Sequence, residues 1–267
     1  MKTIRHSGQP LRLLLLLAYF GFQFFPDLPA GIELVAYLTP FLFVLLHSLA
    51  TFGKRDTVAT FLIIAVISFA FEAVGTNTGF PFGSYTYPES VNGPLLFGVP
   101  PLLTLAYIAM AYASLWIARI LLSRTGPLRS SDLIGVVPVA AALMVVWDLA
   151  IDPTQSTVEG HYVWANGGPY FGVPFENFVG WFLNGLVYFA GVVAYLASTG
   201  KGHGAIRTSR SAMLEPVVLY ALAGFAAAAP LVAHGVVSPI SQSMTLTALF
   251  GMGLPATVAC LRLRAKR

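Results

Sequence analysis

Long apolar runs, each close to the length of a bilayer crossing, recur along the whole chain and constrain its fold more than any other feature. A hydrocarbon core about 30 Å thick takes about 20 residues of helix. Runs on that scale lie near 11–25, 32–52, 57–74, 99–120, 133–151, 175–198, 213–236 and 240–261. Turn-forming clusters such as Pro26-Asp27-Leu28-Pro29 and Thr125-Gly126-Pro127 separate them, while Pro230, Pro239 and Pro255 blur the last two. With 57% of its residues hydrophobic and 10% charged, a chain of 267 residues has too few polar side chains to coat a water-soluble globule. The expected fold is an all-α polytopic membrane protein of about eight transmembrane helices, forming a single integral-membrane domain over 1–267.

The basic residues give this topology a direction. Lys2, Arg5 and Arg12 stand at the start, Lys54 and Arg55 in the second connection, and Arg119, Arg124 and Arg129 around the fourth. Lys201, Arg207 and Arg210 fall in the sixth, and Arg262, Arg264, Lys266 and Arg267 at the end. With eight crossings all 15 lie on one side, which the positive-inside rule makes the cytoplasm. The expected location is a cell membrane, with both termini cytoplasmic. The formal charge of +4 therefore reports orientation rather than a nucleic-acid partner. Residues 1–30 also have the outline of a cleaved leader, against which Arg12 interrupts the apolar run.

The third and fifth connections carry no Lys or Arg, are long, and resemble each other. The first passes from Glu72 through Tyr85-Thr86-Tyr87 and Asn92-Gly93-Pro94 to Phe97-Gly98-Val99-Pro100. The second passes from Asp148 and Asp152 through Tyr162-Val163-Trp164 and Asn166-Gly167-Gly168-Pro169 to Phe171-Gly172-Val173-Pro174. We read this as a pseudo-repeated pair of helical hairpins in which Glu72 and Asp148 hold equivalent places, with both motif loops on the outer face. Interfacial capping accounts for single aromatics such as Tyr87 or Trp164, but not for the acids.

An ionisable side chain inside a span is costly unless neutralised, paired or hydrated, which makes it a functional candidate. Glu72 falls in the last turn of its predicted helix, and Asp148 and Asp152, four residues apart, share one helix face. No cation of this sequence lies on that side, and crowded, desolvated carboxyls tend to hold their protons, as a general acid requires. In the sixth crossing Asn177, Trp181, Asn184 and Tyr188 form a polar-aromatic stripe starting at the same face. Packing within the bundle is the alternative role for that stripe.

Other chemistries lack their motifs. There is no Gly-rich phosphate loop, no His-Glu-x-x-His and no Cys-x-x-Cys, and Cys260 stands alone. His6, His47, His161, His203 and His234 are scattered, and Asp148-x-x-x-Asp152 lacks the second motif of a metal-diphosphate site.

The run Glu72-x-x-Gly75-x-x-Thr78-Gly79-x-Pro81-Phe82-Gly83-x-Tyr85-x-Tyr87, with Phe171-Gly172-Val173-Pro174-x-x-Asn177-Phe178-x-Gly180-Trp181, resembles the integral-membrane carotenoid hydratase family. The likeness covers roughly 57–190. Two departures stand out: Tyr162 occupies a place usually held by Trp, and Glu176 is not a family feature. The resemblance implies cofactor-independent addition of water to the terminal isoprene double bond of an acyclic, monocyclic or C50 carotenoid. It also implies a carotenoid drawn from the bilayer, lipid as the surrounding partner, and room for other carotenoid enzymes as neighbours. Glu72, Asp148 and Asp152 are the candidate catalytic acids, with Asn77, Tyr85, Tyr87, Trp147, Asn177, Trp181 and Asn184 holding substrate, water or cation. Two alternatives stay open at this point. One is cyclisation or isomerisation by the same protonation, and the other is carotenoid binding or transport without chemistry.

Overall fold

A computed structural model describes residues 8–25, 27–199 and 209–265. Lys2, Arg5, Lys201, Arg207, Lys266 and Arg267 lie outside the described residues. The helices are α1 Gln9–Phe22, α2 Ala30–Thr51, α3 Lys54–Thr78, the short α4 Glu89–Asn92, α5 Leu103–Leu121, α6 Asp132–Asp152, α7 Phe175–Ser198, α8 Arg210–Val232, α9 Pro239–Leu246 and α10 Leu254–Ala265. A wider π-helical turn, Pro153–Val158, continues α6, and another, Thr247–Gly253, joins α9 to α10 into one long rod.

Seven of these rods are long and apolar enough to cross a membrane. The remaining one of the eight expected crossings is a shorter apolar helix. The first, α1, has 14 residues, which at 1.5 Å per residue reaches about 21 Å, short of a hydrocarbon core about 30 Å thick. It nevertheless packs along α2 and α8, and Arg12 makes a buried ion pair with Glu215 of α8, Nε to Oε2 at 2.6 Å.

The helix α5 is the hub of the bundle. Every residue from Tyr107 to Ile120 is buried, because α2, α3, α6, α8 and α10 all pack against it. Large apolar side chains such as Leu17, Leu62, Val66 and Phe250 are instead exposed on the outer surface of the bundle, as suits helices whose neighbour is lipid. The described basic residues gather at one end, where Arg210 Nη2 donates to the Arg264 carbonyl at 3.0 Å and Arg262 Nη1 to Ser123 Oγ at 3.4 Å.

At the other end the two motif loops join. Strands β1 Tyr85–Thr86 and β2 Val163–Trp164 pair antiparallel, with Tyr85 opposite Trp164 and Thr86 opposite Val163. Asn92 Nδ2 reinforces the junction by donating to the His161 carbonyl at 2.7 Å. Each Phe-Gly-Val-Pro segment folds into the same tight turn. Phe97 and Gly98 have φ of 51° and 79°, and Phe171 and Gly172 have 53° and 93°. Two successive positive φ values define a turn that a glycine at the second place relieves. A threonine braces each turn: Thr76 Oγ1 donates to Phe97 O at 3.4 Å, and Thr157 Oγ1 to Phe171 O at 2.6 Å.

Candidate active site

The first half of the site is built on α3, which runs past residue 74 to Thr78, so Glu72 lies nearly two turns inside the helix rather than in its last turn. Gly79 ends the helix with a left-handed cap, φ 79°, and sends the chain back across its own end. Phe82 then plugs the gap between α3 and α7, 1% exposed. It fits because both walls are glycine: a Cβ on Gly75 would meet the Phe82 ring at 2.8 Å and the Tyr85 hydroxyl at 2.9 Å, and one on Gly180 would meet Phe82 at 2.6 Å. The glycine one turn beyond Glu72 therefore opens the path by which Tyr85 reaches it.

Three phenols converge on Glu72. Tyr85 and Tyr87 donate to Oε2 at 2.5 and 3.0 Å, and Tyr107 of α5 donates to Oε1. Burial, followed by the adjacent Glu72, pushes the Tyr85 and Tyr87 phenols well above their ordinary range, so both remain O–H donors.

The second half stands on α6 and α7. Asp148 and Asp152 are one turn apart on α6, and Asn177, one turn into α7, reaches both: Nδ2 donates to Asp148 Oδ2 at 2.7 Å and to Asp152 Oδ2 at 2.6 Å. The other oxygen of Asp152 accepts from the Tyr162 phenol at 2.7 Å, which burial and then Asp152 push well above the ordinary phenol range. Pro153, lacking an N–H, cannot donate to the Leu149 carbonyl. The Tyr170 phenol does so instead at 3.0 Å, and the wider turn that follows carries the chain to Tyr162. All of the acids and Asn177 are buried: Glu72 is 4% exposed, Asp148 1%, Asp152 0% and Asn177 2%. None of the ion pairs among the described residues involves them.

Aromatic rings join the halves. Tyr87 and Tyr162 meet edge-on at 5.7 Å, and Tyr85 leans on Trp164 at 4.9 Å. Beneath them, Tyr107 stacks on Trp181 at 4.7 Å and 5°, and Trp147 meets the edge of Trp181 at 5.7 Å. The acids thus have an aromatic layer within a ring's reach.

Of the residues singled out by sequence, Glu72, Tyr85 and Tyr87 come together, as do Asp148, Asp152 and Asn177, with Trp147 and Trp181 alongside. Asn77 stands apart: it is exposed, and its amide is bonded to the Ala73 carbonyl at 2.7 Å. Asn184 is buried two turns beyond Asn177 on α7, and neither atom of its amide meets a hydrogen-bonding side chain or carbonyl. Glu176 is exposed at the entry of α7. Sequence reasoning missed Tyr107. Its only signal was a phenol near the outer end of a span, since nothing in the linear pattern ties α5 to Glu72. Tyr162 was noted as part of a motif, yet its contact with Asp152 depends on the pairing of the two loops. Glu72 and Asp152 each accept from a tyrosine of a motif loop, Tyr85 and Tyr162, and Asp148 accepts from Asn177.

Residues 32–252 match the family described as Carotenoid biosynthesis protein. The chain belongs to that family. Its match runs well beyond the motif-bearing stretch and takes in the helices on both sides. Among curated proteins, this member of the carotenoid biosynthesis protein family is similar to the bisanhydrobacterioruberin hydratase of Haloarcula japonica, 30% identical over 125 residues. That alignment covers 46% of this chain and 40% of the relative, so it spans less than half of either. No solved structure matches.

Proposed function

We propose that this protein adds water to the terminal isoprene double bond of a carotenoid taken from the bilayer. The observation that carries the reading is the gathering of three buried carboxyls, without a cation partner among the described residues, beside a layer of indole and phenol rings. Hydrating a trisubstituted alkene needs a strong proton donor, shelter for a tertiary cation, and a base that holds the water. The relative from Haloarcula japonica is named a bisanhydrobacterioruberin hydratase, which agrees with this chemistry.

In the proposed sequence the Asp148–Asp152 pair carries one proton between its two carboxyls, because like charges bridged by a single amide cannot both stand ionised in a dry site. That proton passes to the less substituted alkene carbon. The π bond supplies the electron pair for the new C–H bond, leaving a tertiary cation against Trp147 and Trp181. Glu72, ringed by three phenol donors, suits a carboxylate: it orients the water and takes its proton as the C–O bond forms. Return of that proton to the aspartate pair closes the cycle, and the net change is the addition of one water. The two loop turns and their threonine braces support reading the hairpins as a pseudo-repeat in which Glu72 and Asp152 correspond. The cytoplasmic placing of the basic end, the outward placing of this site and a single domain over the whole chain belong to the same proposal.

The test is expression in a host that accumulates lycopene, followed by mass analysis of the pigments. Hydration adds the mass of one water per reacted end, cyclisation gives isomers, and binding or transport leaves the mass unchanged. Unaltered lycopene at full membrane abundance of the protein would end the hydratase reading for that substrate.

A further inference from the structure

Beside the acids lies a cavity of about 280 Å³ between α1, α2, α5, α6 and α8. Small side chains keep it open: Ala106 and Ala109 from α5, and Ala223 and Ala227 from α8, form its walls. Trp147 and Ile151 of α6 close its inner side. These two are the immediate chain neighbours of Asp148 and Asp152, and successive residues on a helix are turned by about 100°. One rod of helix thus shows its apolar edge to the cavity and its acidic edge to Asn177. Trp147 belongs to both places, lining the cavity and touching Trp181.

None of Glu72, Asp148 and Asp152 lines this cavity. We infer that it is the seat of the polyene segment next to the reacting end, which passes Trp147 to meet the acids, and that the four alanines set which chain is admitted. The inference rests on the hydratase reading and adds to it the place and the size of what is recognised. A small-molecule site that engulfs a drug-sized ligand measures about 300–1,000 Å³, so this cavity holds a short stretch of a C40 or C50 chain and not its whole length. The remaining polyene lies in the bilayer, whose apolar core matches it. Polar groups such as Gln23 and Gln155 line the cavity too, alongside its apolar walls. Because the far end of the substrate is outside the protein, each end is recognised in a separate encounter. Singly hydrated product is released and accumulates before the doubly hydrated one.

The experiment measures binding and conversion separately on the full-length protein in lipid nanodiscs. Lycopene is added as a polyene that quenches tryptophan emission, and farnesene, a short acyclic isoprenoid with the same terminal double bond, serves as competitor. Wild type is expected to bind lycopene and to lose it to farnesene. Ala227→Phe, which fills the cavity, is expected to weaken lycopene binding by about 10-fold or more, the scale on which an overfilled void opposes a ligand. Ala226→Leu on the half-exposed edge of the same wall is a milder change that still narrows the space, and a weakening of about 3-fold is expected for it. Lycopene binding by both variants at wild-type strength, or failure of farnesene to compete, would overturn the inference. The two readings fail differently. Conversion that persists at the wild-type rate in the filled variants sinks the cavity and leaves the hydratase. Binding that is lost on filling, in a protein that never adds water to any carotenoid end, sinks the hydratase and leaves the cavity.

Discussion

Asp148 and Asp152 are bound by the same nitrogen: the Asn177 amide donates to one at 2.7 Å and to the other at 2.6 Å. A single side chain from α7 thereby holds two buried acids of α6 in one orientation. In a site without a cation partner among the described residues this amide does what an ion pair would otherwise do.

Removing that bridge tests the pair directly. Asn177→Ala leaves two crowded carboxyls with one donor fewer each, and hydrogen bonds to charged groups contribute about 1.5–3 kcal/mol. Pigment conversion in the lycopene-producing host is expected to fall by about 10- to 100-fold at equal protein abundance. Conversion at the wild-type rate would show that the two acids do not act as a unit.

The phenol ring around Glu72 predicts a graded series. Glu72→Gln removes the base and is expected to lower conversion by about 10²–10⁴-fold, while Tyr107→Phe, which leaves two donors in place, is expected to be milder by an order of magnitude or more. Glu176→Gln, at an exposed residue, should leave conversion unchanged. A Tyr107→Phe defect as deep as that of Glu72→Gln would make Tyr107 itself the group that handles the proton.

Packing of the loop plug gives a stability prediction independent of the chemistry. A Cβ at residue 180 would lie 2.6 Å from Phe82 and 3.0 Å from the Pro81 carbonyl oxygen. Gly180→Ala is therefore expected to destabilise the protein by about 1–3 kcal/mol, seen as a lower melting temperature in detergent. The paired change Gly180→Ala with Phe82→Leu should recover part of that loss.

The ion pair Arg12–Glu215, with both side chains under 10% exposed, should behave as a coupled unit. Either single replacement, Arg12→Met or Glu215→Gln, strands a buried charge and is expected to cost about 3–5 kcal/mol. The double variant should cost less than the sum, as a thermal-stability cycle would report. Additive losses would mean that α1 is held by packing alone.

Orientation is tested by labelling single cysteines in the Cys260→Ser background. Residues introduced at Ser90 and Glu159 are expected to react with an impermeant reagent from outside intact cells, and one at Gly202 is not. Reaction at Gly202 from outside would invert the topology.

The sequence by itself determined the material the chain lives in and the positions of its crossings. Apolar runs of the right length, broken by proline and glycine, leave no other way to satisfy the backbone in lipid, and α7 spans the predicted 175–198. It also marked the buried acids, because a carboxyl in an apolar run is conspicuous wherever the run folds. At α1 the apolar run 11–25 was counted as a crossing, although it and the helix that forms, Gln9–Phe22, are both shorter than the about 20 residues a bilayer takes. Tertiary structure alone decided which groups meet. The pairing of Tyr85 with Trp164 brings two distant loops together, and hub helix α5 carries Tyr107 to Glu72. It also turned Asn77 away from the acids. Hydropathy and spacing report the face of a single helix, whereas these contacts depend on the rotation and depth of one helix against another, which side-chain packing sets only once all of them are assembled.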